Sequence, residues 1–173
     1  AGADKDTIIM TSAEANGITT DAFNTAFKNF EVLEILDATT TGHTIDVEKI
    51  NNVSQVTFAA AVTGTATINN LVNNGKVKLT TNGASTPILN VNVKNATTGT
   101  SDVLNLELSK VGVLAAGKVT AASVETININ VADANTAGSA AAVHTLTLDA
   151  ADATKVVVSG NNGLNLTNTG NTK

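Results

Sequence analysis

Apolar and polar residues take turns along much of this chain. Leu89, Val91 and Val93 alternate with Asn90 and Asn92. Leu104, Leu106 and Leu108 alternate with Asn105 and Glu107, and Ile127, Ile129 and Val131 with Asn128 and Asn130. Successive side chains of a β-strand point to opposite faces, so each run has one face for a core and one for water. A helix would spread the same residues around its circumference. Val and Thr, both β-branched, favour the pleated state.

Shorter runs of the same kind lie at 7–10, 31–36, 53–58, 66–71, 77–80, 145–148, 155–158 and 164–167. Asn74-Gly75, Asn82-Gly83, Gly99-Thr100, Gly138-Ser139 and Gly160-Asn161 fall between them. Asn and Gly tolerate positive φ and close tight corners with little strain. Many short strands with frequent turns predict a mainly β chain: a sandwich, a barrel or a solenoid.

One segment departs from this. Phe23, Phe27 and Phe30 sit at helical spacing, which predicts a short helix near residues 21–28, with Thr20 or Asp21 as its cap. Three of the four phenylalanines are there, so this helix is expected to plug one end of the core. Ala140 to Ala142 form a second, very short helical candidate.

Internal repetition narrows the fold. Phe30-Glu31-Val32-Leu33-Glu34-Ile35, Val47-Glu48-Lys49-Ile50-Asn51-Asn52 and Val124-Glu125-Thr126-Ile127-Asn128-Ile129 share the order apolar, Glu, any residue, apolar. A strand unit recurring at irregular spacing suits a parallel β-solenoid with rungs of unequal length, here residues 1–173 as a single module. A β-sandwich is the alternative. His43, in Thr41-Gly42-His43-Thr44, reads as part of a turn, and His144 as the start of a strand.

Composition excludes several functions. The net charge is -5 with no arginine and no basic run, which argues against nucleic-acid binding. Zero cysteine removes disulfides and thiolate chemistry. No apolar run is long enough to cross a bilayer as a helix. Trp and Tyr are absent, which disfavours sugar stacking. The histidines and carboxylates fall in no recognisable catalytic motif, so no enzyme activity and no catalytic residues are expected. Instead Thr (28) and Asn (22) fill more than a quarter of the 173 residues. The polar start and the absence of an initiator Met read as a fragment of a longer chain.

The strings at 29–35 and 124–129, and the stretch from Leu146 to Leu166, resemble surface-layer (S-layer) proteins of Gram-negative bacteria, of the type I-secreted, RTX-related family. The Thr-rich, Cys-free, acidic composition fits that family too. The resemblance implies a structural role: copies tile into a protective lattice on the cell surface, outside the cell. It implies self-association as the main partnership, calcium as the ordering ion, and lipopolysaccharide anchoring through regions outside this sequence. A stalk or binding module of a secreted adhesin is the alternative.

The family's calcium repeat, Gly-Gly-x-Gly-x-Asp-x-apolar-x, is degenerate here. Its nearest match starts at Gly160, with Asn161 for the second glycine, Asn165 for Asp and Thr167 at the apolar position. A calcium site is therefore expected elsewhere, among oxygen-bearing side chains. Asp149 and Asp152 are close in sequence, and Asp37 and Asp133 both follow repeat strands. These four are the candidate ligands. The same acids also suit turn capping and solubility.

Overall fold

The computed structural model describes residues 5–40, 42–83, 88–133 and 142–170. In chain order it contains β1 (Thr7–Met10), helix α1 (Ser12–Gly17), helix α2 (Ala22–Ala26), β2 (Val32–Ile35), β3 (His43–Asp46), a 3-10 turn (Val47–Lys49) and β4 (Gln55–Phe58). There follow β5 (Ala66–Leu71), β6 (Gly75–Leu79), β7 (Ile88–Val93), β8 (Val103–Ser109) and β9 (Ala115–Thr120). The last are β10 (Thr126–Ala132), β11 (Val143–Asp149), β12 (Lys155–Gly160) and β13 (Gly163–Asn168).

Seven strands form one sheet in the order β1-β2-β4-β6-β8-β10-β12, and six form the other in the order β3-β5-β7-β9-β11-β13. From β2 onward the chain alternates between the two. All the described pairings are parallel. Two sheets around one core would also describe a sandwich, but hairpin-linked sandwich strands pair antiparallel. The all-parallel pattern is compatible with a parallel β-helix or solenoid-like fold.

The alternation of the sequence becomes the two faces of each sheet. Leu33, Val56, Val77, Leu106, Ile129 and Val158 follow one another through the first sheet's register or lie beside it, and all but the last are fully or nearly fully buried. Ile45, Ile68 and Val91 do the same in the second sheet. Apart from Val158, both sets belong to one core that runs from Ala15 to Ala153. Burying a Leu or Ile side chain contributes about 1.5–3 kcal/mol, so this row of aliphatic residues is the main source of stability.

Asparagine makes many of the corners. Asn51, Asn52, Asn70, Asn74 and Asn95 all have positive φ, from 53° to 66°. They lie at or near the runs that lead from the second sheet back to the first. Most L-residues lose about 1–2 kcal/mol in that conformation, whereas the short Asn side chain bonds locally and suffers less. One corner needs glycine itself. Gly160 has a φ of 121°, and a β-carbon there would overlap the Val131 backbone.

Several expectations change on this fold. His43 opens β3 rather than a turn, and β9 was not anticipated. Both segments are rich in small or polar residues, so their alternation is faint. The repeat copy at 47 is the 3-10 turn, capped by Asp46, and not a strand. Paired rungs are also spaced differently: Asn105 and Asn128 are 23 residues apart, Glu125 and Thr154 29 apart. The helix near 21–28 shortens to Ala22–Ala26, and Asp21 makes no side-chain cap bond. It buries none of its residues, and Phe27 is half exposed. The core contact at this end comes instead from α1, whose Ala15 is fully buried and which was not foreseen. Phe23 and Phe30 are partly buried and pack against the core, and the Phe23 ring lies 4.8 Å from that of Phe27. Gly138-Ser139 and the start of the short 140–142 candidate lie outside the described residues.

Candidate functional site

The four acids expected to bind calcium do not come together. Asp37 accepts the Ser12 backbone N–H at 2.6 Å and the Ser12 hydroxyl at 3.3 Å, which ties α1 to the corner after β2. Asp149, at the end of β11, pairs with Lys118 at 2.7 Å. Asp152 accepts the Ser123 N–H at 3.2 Å. The Asp133 N–H donates to Asn161 Oδ1 at 2.8 Å in the corner after β10. Among the described residues no group of three or more His, Asp or Glu side chains is placed to hold a metal ion. Asn161 and Asn162, in the degenerate calcium repeat, spend their amide oxygens on Asp133 N–H and Ala142 N–H of the preceding rung.

The outward faces carry ladders. Asn105 donates to Asn74 Oδ1 at 2.9 Å, and Asn128 donates to Asn105 Oδ1 at 2.9 Å. On the other sheet Asn92 donates to Asn69 at 2.8 Å. Between them on the first sheet, Glu107 accepts from Lys76 at 2.8 Å and pairs with Lys78 at 2.9 Å. Partial burial pushes the Glu107 carboxyl up, but the two lysine bonds outweigh it and hold the carboxyl below its usual range. A groove of about 360 Å³ runs over this patch, lined by Lys76, Asn105, Glu107, Asn128, Asn130 and Ser159. Lys49, Lys94 and Lys118 also pair with carboxylates, at 2.9, 2.9 and 2.7 Å.

The repeated Glu has the same use at two of its three copies. The Glu31 carbonyl accepts the N–H groups of Ser54 and Gln55, and the Glu125 carbonyl those of Thr154 and Lys155. Each Glu carboxylate reaches the other way. Glu31 Oε2 accepts the Asp6 N–H at 2.8 Å, and Glu125 Oε2 the Asp102 N–H at 2.7 Å. Each Glu thus stitches the rung before it to the rung after it. The repetition signalled these positions, but nothing in the sequence flagged Asp102, which no strand pattern includes.

His144 is fully buried, and its Nδ1 accepts the Leu114 N–H at 3.2 Å. A ring nitrogen that accepts carries no proton, so the imidazole is held in one tautomer as a backbone partner. Its place at the start of β11 agrees with the sequence reading. No helix among the described residues is long and apolar enough to cross a membrane. A scan against protein-family models finds no match to the chain, and a search of curated proteins finds none either.

Proposed function

We propose that the chain is a closed parallel β-solenoid serving as a structural segment of a self-assembling bacterial surface layer. The observation that carries this reading is that all thirteen described strands belong to two parallel stacks around one core. Such a stack is stiff along its axis, because each rung is bonded to the next by backbone and side-chain ladders. The Asn, Thr and Lys–Glu rows keep its faces polar. The resemblance at 29–35, 124–129 and 146–166 supplies the particular assembly: an extracellular lattice, ordered by calcium and anchored to lipopolysaccharide by other regions.

Light scattering after size exclusion, with and without millimolar calcium, tests self-association. Negative-stain electron microscopy then shows whether the product is ordered. Calcium-dependent growth into regular sheets is the expected result. A monomer under both conditions overturns assembly through these residues and favours the adhesin-stalk reading.

A further inference from the structure

We propose that two copies of this chain pair end to end through β12 and β13. These strands close the two sheets at one end, each with a single neighbour, β10 and β11. Val156 and Val158 follow Ile127 and Ile129 in register, and Leu164 and Leu166 follow His144 and Leu146. The four residues they follow are fully or nearly fully buried, whereas Val158 is 51% exposed and Val156, Leu164 and Leu166 are only partly buried. These apolar side chains continue the core past its last covered rung. The outer edge of each strand also presents backbone N–H and C=O groups to a further strand. Neither edge carries a device that blocks pairing. Both strands have six residues, no proline and an unbroken register, and β12 has lysine only at its first position.

The other end is finished differently. Helix α1 packs on β3, the edge strand of the second sheet, and Asn16 Oδ1 accepts the Thr44 N–H at 2.8 Å. Only β1, four residues long, leaves a strand edge there. A partner that covers both β12 and β13 must present two strand edges on either side of one core. Among the described surfaces, only the β12–β13 end of a second copy does so. A two-fold axis perpendicular to the sheets brings two such ends together, with β12 antiparallel to β12 and β13 antiparallel to β13. About Val157 this sets Val156 opposite Val158 of the second copy, and about Asn165 it sets Leu164 opposite Leu166 of the second copy. The side-chain period of two keeps all four on the core side, so one core runs through both chains. The contact closes at two copies and needs no ion, so it does not rest on the surface-layer reading.

The test uses the full chain in EDTA. Light scattering after size exclusion follows a dilution series that starts at roughly 100 μM, where even a weak contact is populated. Twice the mass of one chain is expected, falling toward one on dilution. Val158→Lys and Leu166→Lys place a charge in the joint and should give monomers, with a circular-dichroism melt to check that each is folded. Val158 is half exposed in the single chain, so its replacement spares the fold. The chain has no cysteine, so an introduced one reports proximity cleanly. Val157→Cys, beside the two-fold axis, should oxidise to a covalent dimer, whereas Ile9→Cys, exposed on β1, should not. A monomer at every concentration overturns the proposal, as does a dimer that survives a folded Val158→Lys. Growth past two copies overturns it too, because head-to-tail stacking through β1 is open-ended. Calcium-dependent sheets from a chain that is monomeric in EDTA would uphold the surface-layer reading and overturn this one.

Discussion

Two stretches of the molecule are built on the same plan and finished differently. At the first, Asp6 precedes β1 and gives its N–H to Glu31, the residue before β2. At the second, Asp102 precedes β8 and gives its N–H to Glu125, the residue before β10. The registers correspond, with Ile8 beside Leu33 and Leu104 beside Ile127. At the first, Asp6 is exposed and β1 is the edge strand of its sheet. At the second, β8 lies between β6 and β10, and Gly99 packs against Asp102. A shared hydrogen-bond plan therefore does not fix burial. Burial comes from how many neighbours the rung has and how long the corner before it is.

The largest expected difference is in the core. Leu104 is fully buried, whereas Ile8 is partly buried at the sheet edge. Leu104→Ala should cost about 2–5 kcal/mol, the range for a large side chain deleted from a packed interior. Ile8→Ala should cost clearly less, about 1–2 kcal/mol, because the edge is already open to solvent. Urea unfolding followed by circular dichroism measures both. Equal losses would mean that the first rung is as well covered as the interior, which breaks the comparison.

The next difference lies in the stitching glutamates. Glu125→Ala leaves the N–H of a buried residue without an acceptor, at a cost of about 1–3 kcal/mol. Glu31→Ala leaves an exposed N–H that water can take, so a loss of about 0.5 kcal/mol or less is expected. If Glu125→Ala is neutral, relief of its repulsion with Asp102 has offset the lost bond. The double variant Glu125→Ala/Asp102→Asn separates the two terms by a cycle.

The shared plan was partly legible beforehand. Alternation located eleven of the thirteen strands, because the Val, Ile and Leu of a one-sided strand stand out against Asn, Thr and Lys. It missed β3 and β9, whose inward residues include His43, Ala116 and a glycine neighbour rather than a run of aliphatics. The Glu echo at 31 and 125 was visible as a pattern, but its third copy at 48 was not a strand. Only the backbone partners distinguish them: Glu31 and Glu125 bond two rungs, while Glu48 sits in a capped 3-10 turn and pairs with Lys94. Asp102 was illegible for a related reason. Whether an acid before a strand is exposed depends on the preceding corner, and corner paths depend on positive-φ residues such as Asn95. Asp37 and Asp133 follow repeat strands, and Asp149 and Asp152 are close to each other in sequence, but neither relation says which corners stack.

The smallest expected difference in size between the two copies comes five residues further on, where they diverge in chemistry. After Asp6 that position is Thr11, which caps α1: its hydroxyl accepts the Glu14 N–H at 3.2 Å, and Glu14 answers on the Thr11 N–H at 2.8 Å. After Asp102 it is Glu107, held by Lys76 and Lys78. Thr11→Ala should cost about 1 kcal/mol at neutral pH, the usual value of an N-cap. The Glu107 contribution should instead depend on pH. Its folded carboxyl titrates below the ordinary value of 4.5, so the unfolded chain takes up the proton first as pH falls. The stabilisation is therefore complete above about pH 5 and is lost as pH drops through the folded value. Melting curves of Glu107→Gln and the wild type should differ at pH 6 and converge as pH falls through the folded carboxyl's value. Partial exposure and screening keep the gap at neutral pH to about 1 kcal/mol. A gap that does not narrow at all as pH falls below 4.5 would assign the loss to packing of the Glu107 stem against the strand, and the lysine pair would then contribute no more than an exposed ion pair does.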